Sequence, residues 1–126
     1  MPDETEAQSD LLQAVQARMY AGEFHEAVAR LDVAIQSDPE SVEARYMRAV
    51  CHRYLKDLPA ALADLTALKQ MAPDFGRAYQ EEGHLHRDNG NAERALLAYQ
   101  RACQFNPALL ASWKAHAAAL RTRRRP

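Results

Sequence analysis

The stretch AERALLAYQRACQFNP (92–107) decides the fold, because it repeats an earlier pattern of the chain. Its counterparts are FHEAVARLDVAIQSDP (24–39) and LPAALADLTALKQMAP (58–73), and the three begin 34 residues apart. Agreement of three separate residue series in one register marks an internal repeat, which determines the architecture of the chain. The series are a small residue, a large apolar or aromatic residue and a closing proline: Ala27, Ala61 and Ala95; Leu31, Leu65 and Tyr99; Pro39, Pro73 and Pro107.

Each stretch is predicted to be a helix, because its apolar residues recur at steps of three and four. The proline ends each helix, since it lacks an N–H and disfavours helix in the residue before it. Gly22 and Gly90 predict turns before two of the stretches, and Lys56 stands at the corresponding place before the other. The predicted apolar stripes are Phe24, Ala27, Val28, Leu31, Ala34 and Ile35; Leu58, Ala61, Leu62, Leu65 and Leu68; Ala92, Ala95, Leu96, Tyr99 and Ala102.

A further helix is predicted before each stretch, so the chain consists of helix pairs, each with an A helix followed by a B helix. The pairs span about 8–41, 42–75 and 76–109 within a domain of 8–122. Small residues are expected where paired helices cross, because close packing requires them there. These crossing residues are Ala27, Ala61 and Ala95 in the B helices, and Ala49, Gly83 and Ala117 in A helices.

The two ends of the chain differ from the pairs. Residues 1–7 are predicted to be a disordered acidic segment, and residues 123–126 a basic tail. An extra helix over 108–121 carries Trp113 at an A-helix position, and no B helix follows it.

Composition excludes several classes of protein. The chain has 126 residues, a net charge of −1 and only four glycines, which suits packed helices and gives no overall attraction to nucleic acid or membrane. No apolar run approaches the ~18 residues that a membrane span needs, and the acidic start lacks the apolar core of a secretory signal. We therefore expect a cytoplasmic protein. Cys51 and Cys103 form no CxxC pair and are expected to be buried core residues.

The period and its residue pattern resemble the tetratricopeptide repeat (TPR) family over residues 8–121. The resemblance implies an all-α fold, an α–α superhelix of three TPR-like helix pairs plus a C-terminal capping helix, with a concave wall formed by the A helices. It also implies a protein–protein interaction module or scaffold. Besides the alanine and proline series, the residues that match the family pattern are Trp113, Gly83, Tyr99, Ala34 and Ala102, with Tyr79 as an aromatic substitute.

The A helices depart from the family pattern at two positions. The residues that stand where the family prefers Leu are Ala14, Arg48, Glu82 and His116, and those that stand where it prefers Tyr are Arg18, His52 and His86. The packing of these helices therefore does not follow from the resemblance.

The stretch from Gly76 to Trp113 also resembles the N-terminal repeats of bacterial TPR–sulfotransferase proteins, chiefly in its NPALLASW ending. This second resemblance implies an alternative function, the accessory domain of a larger enzyme. The sulfotransferase itself would lie outside these residues.

The A-helix positions that line the groove of TPR proteins form the candidate site. Their first part is apolar and aromatic and their later part is mostly cationic, which predicts a protein or peptide ligand with an apolar anchor and an acidic end. The alternative is a solvated helix face with scattered aromatic residues. The candidate residues are Tyr20, Tyr46, Val50, Arg53, Tyr54, Arg77, Gln80, His84, Arg87 and Lys114.

One TPR subclass binds chaperone C-termini through a clamp of Lys, Asn, Asn, Lys and Arg that holds two carboxylates. The corresponding residues are Leu12, Gln16, Met47, Arg77 and Glu81, of which only Arg77 fits. The sequence therefore argues against that class of ligand.

No motif indicates catalysis, a metal or a cofactor. His84 and His86 lie two residues apart on a helix, so they point to different faces and cannot share one ion. The phosphate-binding, dinucleotide, nucleophile-elbow and zinc-protease motifs are all missing from the sequence. We predict that this chain alone is not an enzyme.

The last helix and the tail suggest two further interactions. The arginines at 121 and 123–125 could contact phosphates. Cations are, however, favoured at any helix C-terminus, and four are too few for specific nucleic-acid binding.

In a TPR, the residue equivalent to Trp113 packs against the B helix that follows it. The stripe of Leu110, Trp113 and Leu120 either covers the third pair or stays open, and an open stripe predicts a homodimer contact or a continuation of the chain near Trp113.

Overall fold

The structure, a computed structural model, describes residues 4–111, 113–115 and 117–118. Every regular element in these residues is helical, which confirms the predicted all-α fold of three TPR-like helix pairs. A 3-10 turn (Pro107–Leu109) leads into a further helical segment at 110–111, 113–115 and 117–118. The helices are α1 (Glu4–Tyr20), α2 (Phe24–Ser37), α3 (Val42–Tyr54), α4 (Leu58–Met71), α5 (Gly76–Asp88) and α6 (Ala92–Phe105).

The chain divides into two compact units, and the boundary between Ala67 and Leu68 lies inside α4. The first unit holds α1, α2, α3 and most of α4, and the second holds the end of α4, α5, α6 and the C-terminal helical segment. Within the described ranges, the helices lack the length and apolar character that crossing a membrane would require.

One turn conformation joins the A and B helices of all three pairs. Gly22 and Gly90 have φ of 80° and Lys56 has φ of 63°, all in the left-handed region. The next residue donates its N–H to the carbonyl five residues back, as the N–H of Glu23 does to Arg18 O at 2.9 Å. This bond closes the end of the A helix. Lys56 adopts the conformation at a steric cost that glycine avoids.

The core of the first unit forms around the predicted crossing residues. Ala27 of α2 and Val15 of α1 are fully buried, and Leu31 fills the space beside them. Cys51 of α3 belongs to the same cluster and is buried as expected. All six predicted crossing residues are buried, in both units: Ala27, Ala49, Ala61, Gly83, Ala95 and Ala117.

Tyr99 lies at the centre of the second core. An added Cβ on Gly83 would lie 2.5 Å from Tyr99 Cε1, so α5 and α6 approach this closely only because residue 83 is glycine. Trp113 packs against the cluster of Ala95 and Tyr99, and its Nε1 donates to Leu96 O at 3.4 Å. The indole therefore covers the third pair, which is one of the two outcomes predicted for its stripe.

Helix α1 begins at Glu4, inside the 1–7 segment for which disorder was predicted. The sequence from Glu4 to Tyr20 contains no glycine or proline that would interrupt a helix. Residues 4–7 of the acidic segment therefore form the first turn of α1, and residues 1–3 lie outside the described residues.

The predicted extra helix begins differently from the other A helices. Its first turn is the 3-10 turn from Pro107, and the N–H of Ala108 donates to Asn106 Oδ1 at 3.1 Å. The end of the predicted helix, with Leu120, and the basic tail lie outside the described residues.

Candidate peptide-binding site

Tyr54, the last residue of α3, is held in a stack. The Phe24 ring lies parallel to it, with 4.7 Å between ring centroids and an interplanar angle of 4°. The guanidinium carbon of Arg53 lies 4.5 Å from the centroid of the Tyr54 ring, within cation–π range. Tyr54 nevertheless stays 54% exposed. Phe24 was predicted only as a residue of the core stripe, so its role in orienting Tyr54 did not follow from the sequence.

Three other candidate residues belong to the same unit. Tyr20 ends α1 and is 83% exposed, with its hydroxyl 3.5 Å from Gln16 Nε2. Tyr46 is half-buried and packs against the core of the unit, and Val50 is also half-buried. The first unit therefore combines exposed aromatic surface with side chains that are anchored in its core.

His84 and Gln80 of α5 are both half-buried. A hydrogen bond of 2.8 Å joins His84 Nδ1 to the hydroxyl of Tyr99, which is itself buried. His84 thus pairs with the hydroxyl of a buried tyrosine in the second core, which its position on the A helix did not predict.

The cationic candidates of the second unit differ in their pairing. Arg87 donates from Nε and Nη2 to Asp88 Oδ1, at 3.1 and 3.0 Å, so a carboxylate offsets its charge. Arg77 and Lys114 are exposed. The positive charge of this part of the candidate site is therefore smaller than the sequence suggested.

An ion-pair network around the buried Asp64, which was not predicted from the sequence, joins three helices of the first unit. Arg48 of α3 donates to both carboxylate oxygens of Asp64 on α4, from Nε at 2.9 Å and from Nη2 at 2.7 Å. Its Nη1 also donates to Asp32 Oδ1 on α2 at 2.9 Å. The hydrogen bonds to Asp64, and less strongly the pairing with Asp32, raise the pKa of Arg48 above its ordinary value against the opposing effect of burial.

Asp64 occupies the buried face of α4 where the stripe prediction placed Leu62. Asp64 is 4% exposed, whereas Leu62 is exposed to solvent. The assignment of Leu62 to the stripe was therefore wrong. Ala61, Asp64 and Leu68 follow one another at steps of three and four, which places the carboxylate on the core side of the helix.

Glu82, which lies 34 residues after Arg48, is also paired. Its partner is Lys69 Nζ at the end of α4, in the same unit. Both charged residues that replace the family's Leu in α3 and α5 are thus neutralised by a neighbouring helix.

Cys51 is a buried core residue as expected, whereas Cys103 is only half-buried, so its assignment to the core was wrong. Burial raises the pKa of the Cys51 thiol to about 11, and it raises the pKa of the half-buried Cys103 as well. A protonated thiol is a poor nucleophile and a poor metal ligand. In the part of the chain that the structure describes, no three His, Cys, Asp or Glu side chains are grouped as metal ligands.

Comparison with known proteins identifies relatives at the level of sequence. A sequence model of the tetratricopeptide repeat family matches residues 12–74. DnaJ homolog subfamily C member 3 of Homo sapiens is 31% identical over 87 residues, which is 69% of this chain. The chain spans only 17% of the length of that relative.

Solved structures share the fold at lower identity. The type III secretion translocator chaperone SycD of Yersinia enterocolitica has a TM-score of 0.84 at 11% identity, covering 98% of this chain and 100% of that chain. Another structure of SycD contains a peptide of the translocator YopD. The first TPR of Spaghetti (RPAP3), bound to the HSP90 peptide SRMEEVD, has a TM-score of 0.75 at 18% identity, covering 93% and 95%. The repeat period, the helix pairs and the family match over residues 12–74 agree, and the chain belongs to the tetratricopeptide repeat family.

Proposed function

We propose that the chain is a protein-interaction module that binds a peptide segment along the A-helix residues of the candidate site, without making or breaking covalent bonds. TPR domains are generally interaction modules. SycD holds a YopD peptide and RPAP3 holds an HSP90 peptide on the same fold, which supports a peptide ligand for this chain.

The stacked ring of Tyr54 is the observation that carries this proposal. A ring fixed by Phe24 and Arg53 but largely exposed offers apolar contact area at little cost in side-chain entropy. Tyr46 and Val50 precede it by eight and four residues on the same helix, so all three lie along one face. An apolar residue of the ligand would be buried against this face.

Within the second unit, Arg77 and Lys114 are exposed cations, which favours a ligand that carries acidic residues. The ligand differs from the HSP90 peptide that RPAP3 binds. Two of the five positions that would form a carboxylate clamp, Met47 and Glu81, are buried, and a buried methionine cannot donate to a carboxylate.

Selection of a phage-displayed random peptide library on the chain, followed by fluorescence anisotropy with a selected peptide, tests this function. Tyr54→Ser should weaken binding about 30-fold, because a central interface aromatic contributes about 2 kcal/mol. Phe105→Ser is the matched control, since Phe105 is a partly exposed aromatic on the B helix α6. Equal affinity of the wild type and Tyr54→Ser for every selected peptide would contradict the proposal.

The alternative of an accessory domain beside a sulfotransferase has no support from the comparisons. The expected cytoplasmic location stays a prediction.

A homodimer contact through the last helix also stays a proposal, and it rests on Leu110 rather than on Trp113. Leu110 is 42% exposed, whereas the Trp113 indole contacts α6. Sedimentation equilibrium should find a dimer that dissociates in Leu110→Ser and persists in Val33→Ser, which removes an exposed apolar residue of the first unit. A monomeric wild type would exclude the contact.

A further inference from the structure

We propose that the third helix pair carries a second docking surface, which binds an acidic helical segment of a partner protein. This surface, the α5–α6 notch, is a groove of about 440 Å³ lined by His86 of α5 and by Arg94, Leu97, Ala98 and Arg101 of α6, among others. None of these residues belongs to the candidate peptide-binding site. The notch is therefore an interaction surface additional to the function proposed above.

Arg94, Leu97 and Arg101 follow one another along α6 at steps of three and four, so they share one helix face. The two arginines are separated by about 10 Å along the helix axis, given a rise of about 1.5 Å per residue. Leu97 lies between them and is 66% exposed, while Ala98 beside it is buried. The notch thus presents an apolar centre between two cations.

The charge of the notch is positive. Arg94 and Arg101 are both exposed, and neither has a carboxylate partner among the residues that the structure describes. Glu82, the acidic residue of the described lining, is already paired with Lys69. A partner that brings carboxylates to this surface therefore gains charge-assisted contacts that the chain itself leaves unmade.

At the corresponding surface of the second pair, a carboxylate and a cation of the chain itself bind each other. The residues 34 positions before His86 and Ala98 are His52 and Asp64. There Arg48 holds Asp64 in two hydrogen bonds, so the cation and the carboxylate complement each other. In the third pair the counterparts of Arg48 and Asp64 are Glu82 and Ala98, so α6 carries no carboxylate at the place of Asp64 that could meet Arg94 or Arg101.

The corresponding groove of the first pair, about 400 Å³, is open but balanced in charge. Glu26 and Arg30 line it, and Glu26 accepts from Arg30 at 3.5 Å and from Arg18 at 2.8 Å. Of the three described places, the third therefore combines an open groove with two cations that lack a carboxylate partner among the described residues. The guanidinium carbon of Arg101 lies 5.8 Å from the centroid of the Tyr79 ring, a contact that leaves its charge unneutralised.

The occupant that fits these features is an amphipathic helix with one apolar residue flanked by two carboxylates. Acidic residues seven positions apart in a helix lie about 10 Å apart, which matches the separation of Arg94 and Arg101. An apolar residue between them would contact Leu97. A groove between two neighbouring helices receives a third helix by ridge-into-groove packing, as in other helix-in-groove complexes.

The probe for this inference is a short, fluorescein-labelled alanine-based helical peptide with Leu flanked by Glu three residues before and four residues after it. A matched peptide carries Gln in place of both Glu. By fluorescence anisotropy at about 0.05 M NaCl, where charges interact over more than 10 Å, the acidic peptide should bind the full chain about tenfold more tightly than its Gln counterpart. The variant with both Arg94→Glu and Arg101→Glu should abolish this preference, and Arg30→Glu in the first pair should retain it.

Equal binding of the two peptides, no binding of the acidic peptide, or unchanged binding to the doubly charge-reversed variant would overturn the inference. Circular dichroism of that variant establishes that it is folded. If Tyr54→Ser and Arg77→Glu abolish binding of the acidic peptide while the notch variant does not, the peptide lies on the A helices. The notch is then excluded and the proposed function stands. A single-stranded oligonucleotide that binds the notch as tightly as the acidic peptide, and displaces it, would also overturn the inference that the partner is a protein.

Discussion

Replacing Arg48 by Met should cost the chain about 3 kcal/mol of folding free energy. The substitution removes the hydrogen bonds of 2.9 and 2.7 Å to Asp64 and leaves that carboxylate, 4% exposed, without its cation. Loss of one partner from a buried pair costs about 3–5 kcal/mol. The lower end applies because 20% of the Arg48 side chain is exposed, so water can partly hydrate the carboxylate that remains.

Three companion variants separate the possible causes of this loss. Asp64→Leu should cost about 1–2 kcal/mol, because the guanidinium keeps Asp32 and access to water. Asp32→Asn should cost less than about 1 kcal/mol, since that pair is exposed. The double variant Arg48→Met/Asp64→Leu should lie within about 1 kcal/mol of the wild type, because apolar residues of similar size can replace a buried ion pair.

Urea unfolding followed by circular dichroism measures these differences. With a slope of about 1–3 kcal/mol per molar urea, Arg48→Met should lower the midpoint by at least about 1 M. The double-mutant cycle should give a coupling energy of about 4–5 kcal/mol, because the two single costs should largely disappear in the double variant. Additive costs of the two single variants, or a cost of Asp32→Asn as large as that of Arg48→Met, would refute the argument that Asp64 depends on Arg48.

Three further predictions concern single positions. Gly83→Ala should destabilise the chain by about 1–2 kcal/mol in urea unfolding, because the new Cβ would lie 2.5 Å from the buried Tyr99 ring. The cost of this overpacking exceeds the gain in helix propensity from glycine to alanine. An unchanged urea midpoint would contradict the prediction. Lys56→Gly should raise the thermal midpoint by about 2 °C, because it removes the strain of a left-handed backbone at φ 63°. The greater entropy that glycine gives the unfolded chain should offset only part of this gain. A lower midpoint would argue against strain at Lys56. In a Cys103→Ser background, Cys51 should react slowly with Ellman's reagent at pH 8, because burial raises its pKa from 9.0 to about 11. The same raised pKa contributes stability that is fully present below pH 9 and is lost as the pH rises through about 11, so the loss should shrink in Cys51→Ala.

The repeat period explains why the helix pairs could be predicted from the sequence. Ala27 is fully buried, as are its counterparts in the other pairs, and Gly22 has the left-handed turn conformation that its position predicted. Features of this kind depend on one residue and its place in the period, so the sequence carries them directly. The boundaries of the helices were less certain, as the start of α1 at Glu4 illustrates, because capping and fraying depend on weaker local preferences.

The contacts of charged and aromatic side chains could not be predicted in the same way, because each depends on two helices at once. Arg48 looked like a departure from the family pattern until Asp64 was found opposite it. A signal was present, since a carboxylate at a core position of α4 requires a cation nearby. The stack of Phe24 on Tyr54 had no such signal in the sequence. Each ring could equally well lie on its helix face without an aromatic partner.

The same period separates positions that are constant through the pairs from positions that vary. Positions that keep one residue type through the three pairs, such as the crossing alanines, determine the fold. Position 30 and its counterparts are Arg30, Asp64 and Ala98, and this change alters charge and space at one place on an otherwise constant scaffold. The result is a balanced groove in the first pair, a buried ion pair in the second and an open cationic groove in the third. Because the helix pairs share one backbone pattern, any difference in binding between them would come from such variable positions, and the proposed α5–α6 notch lies at one of them.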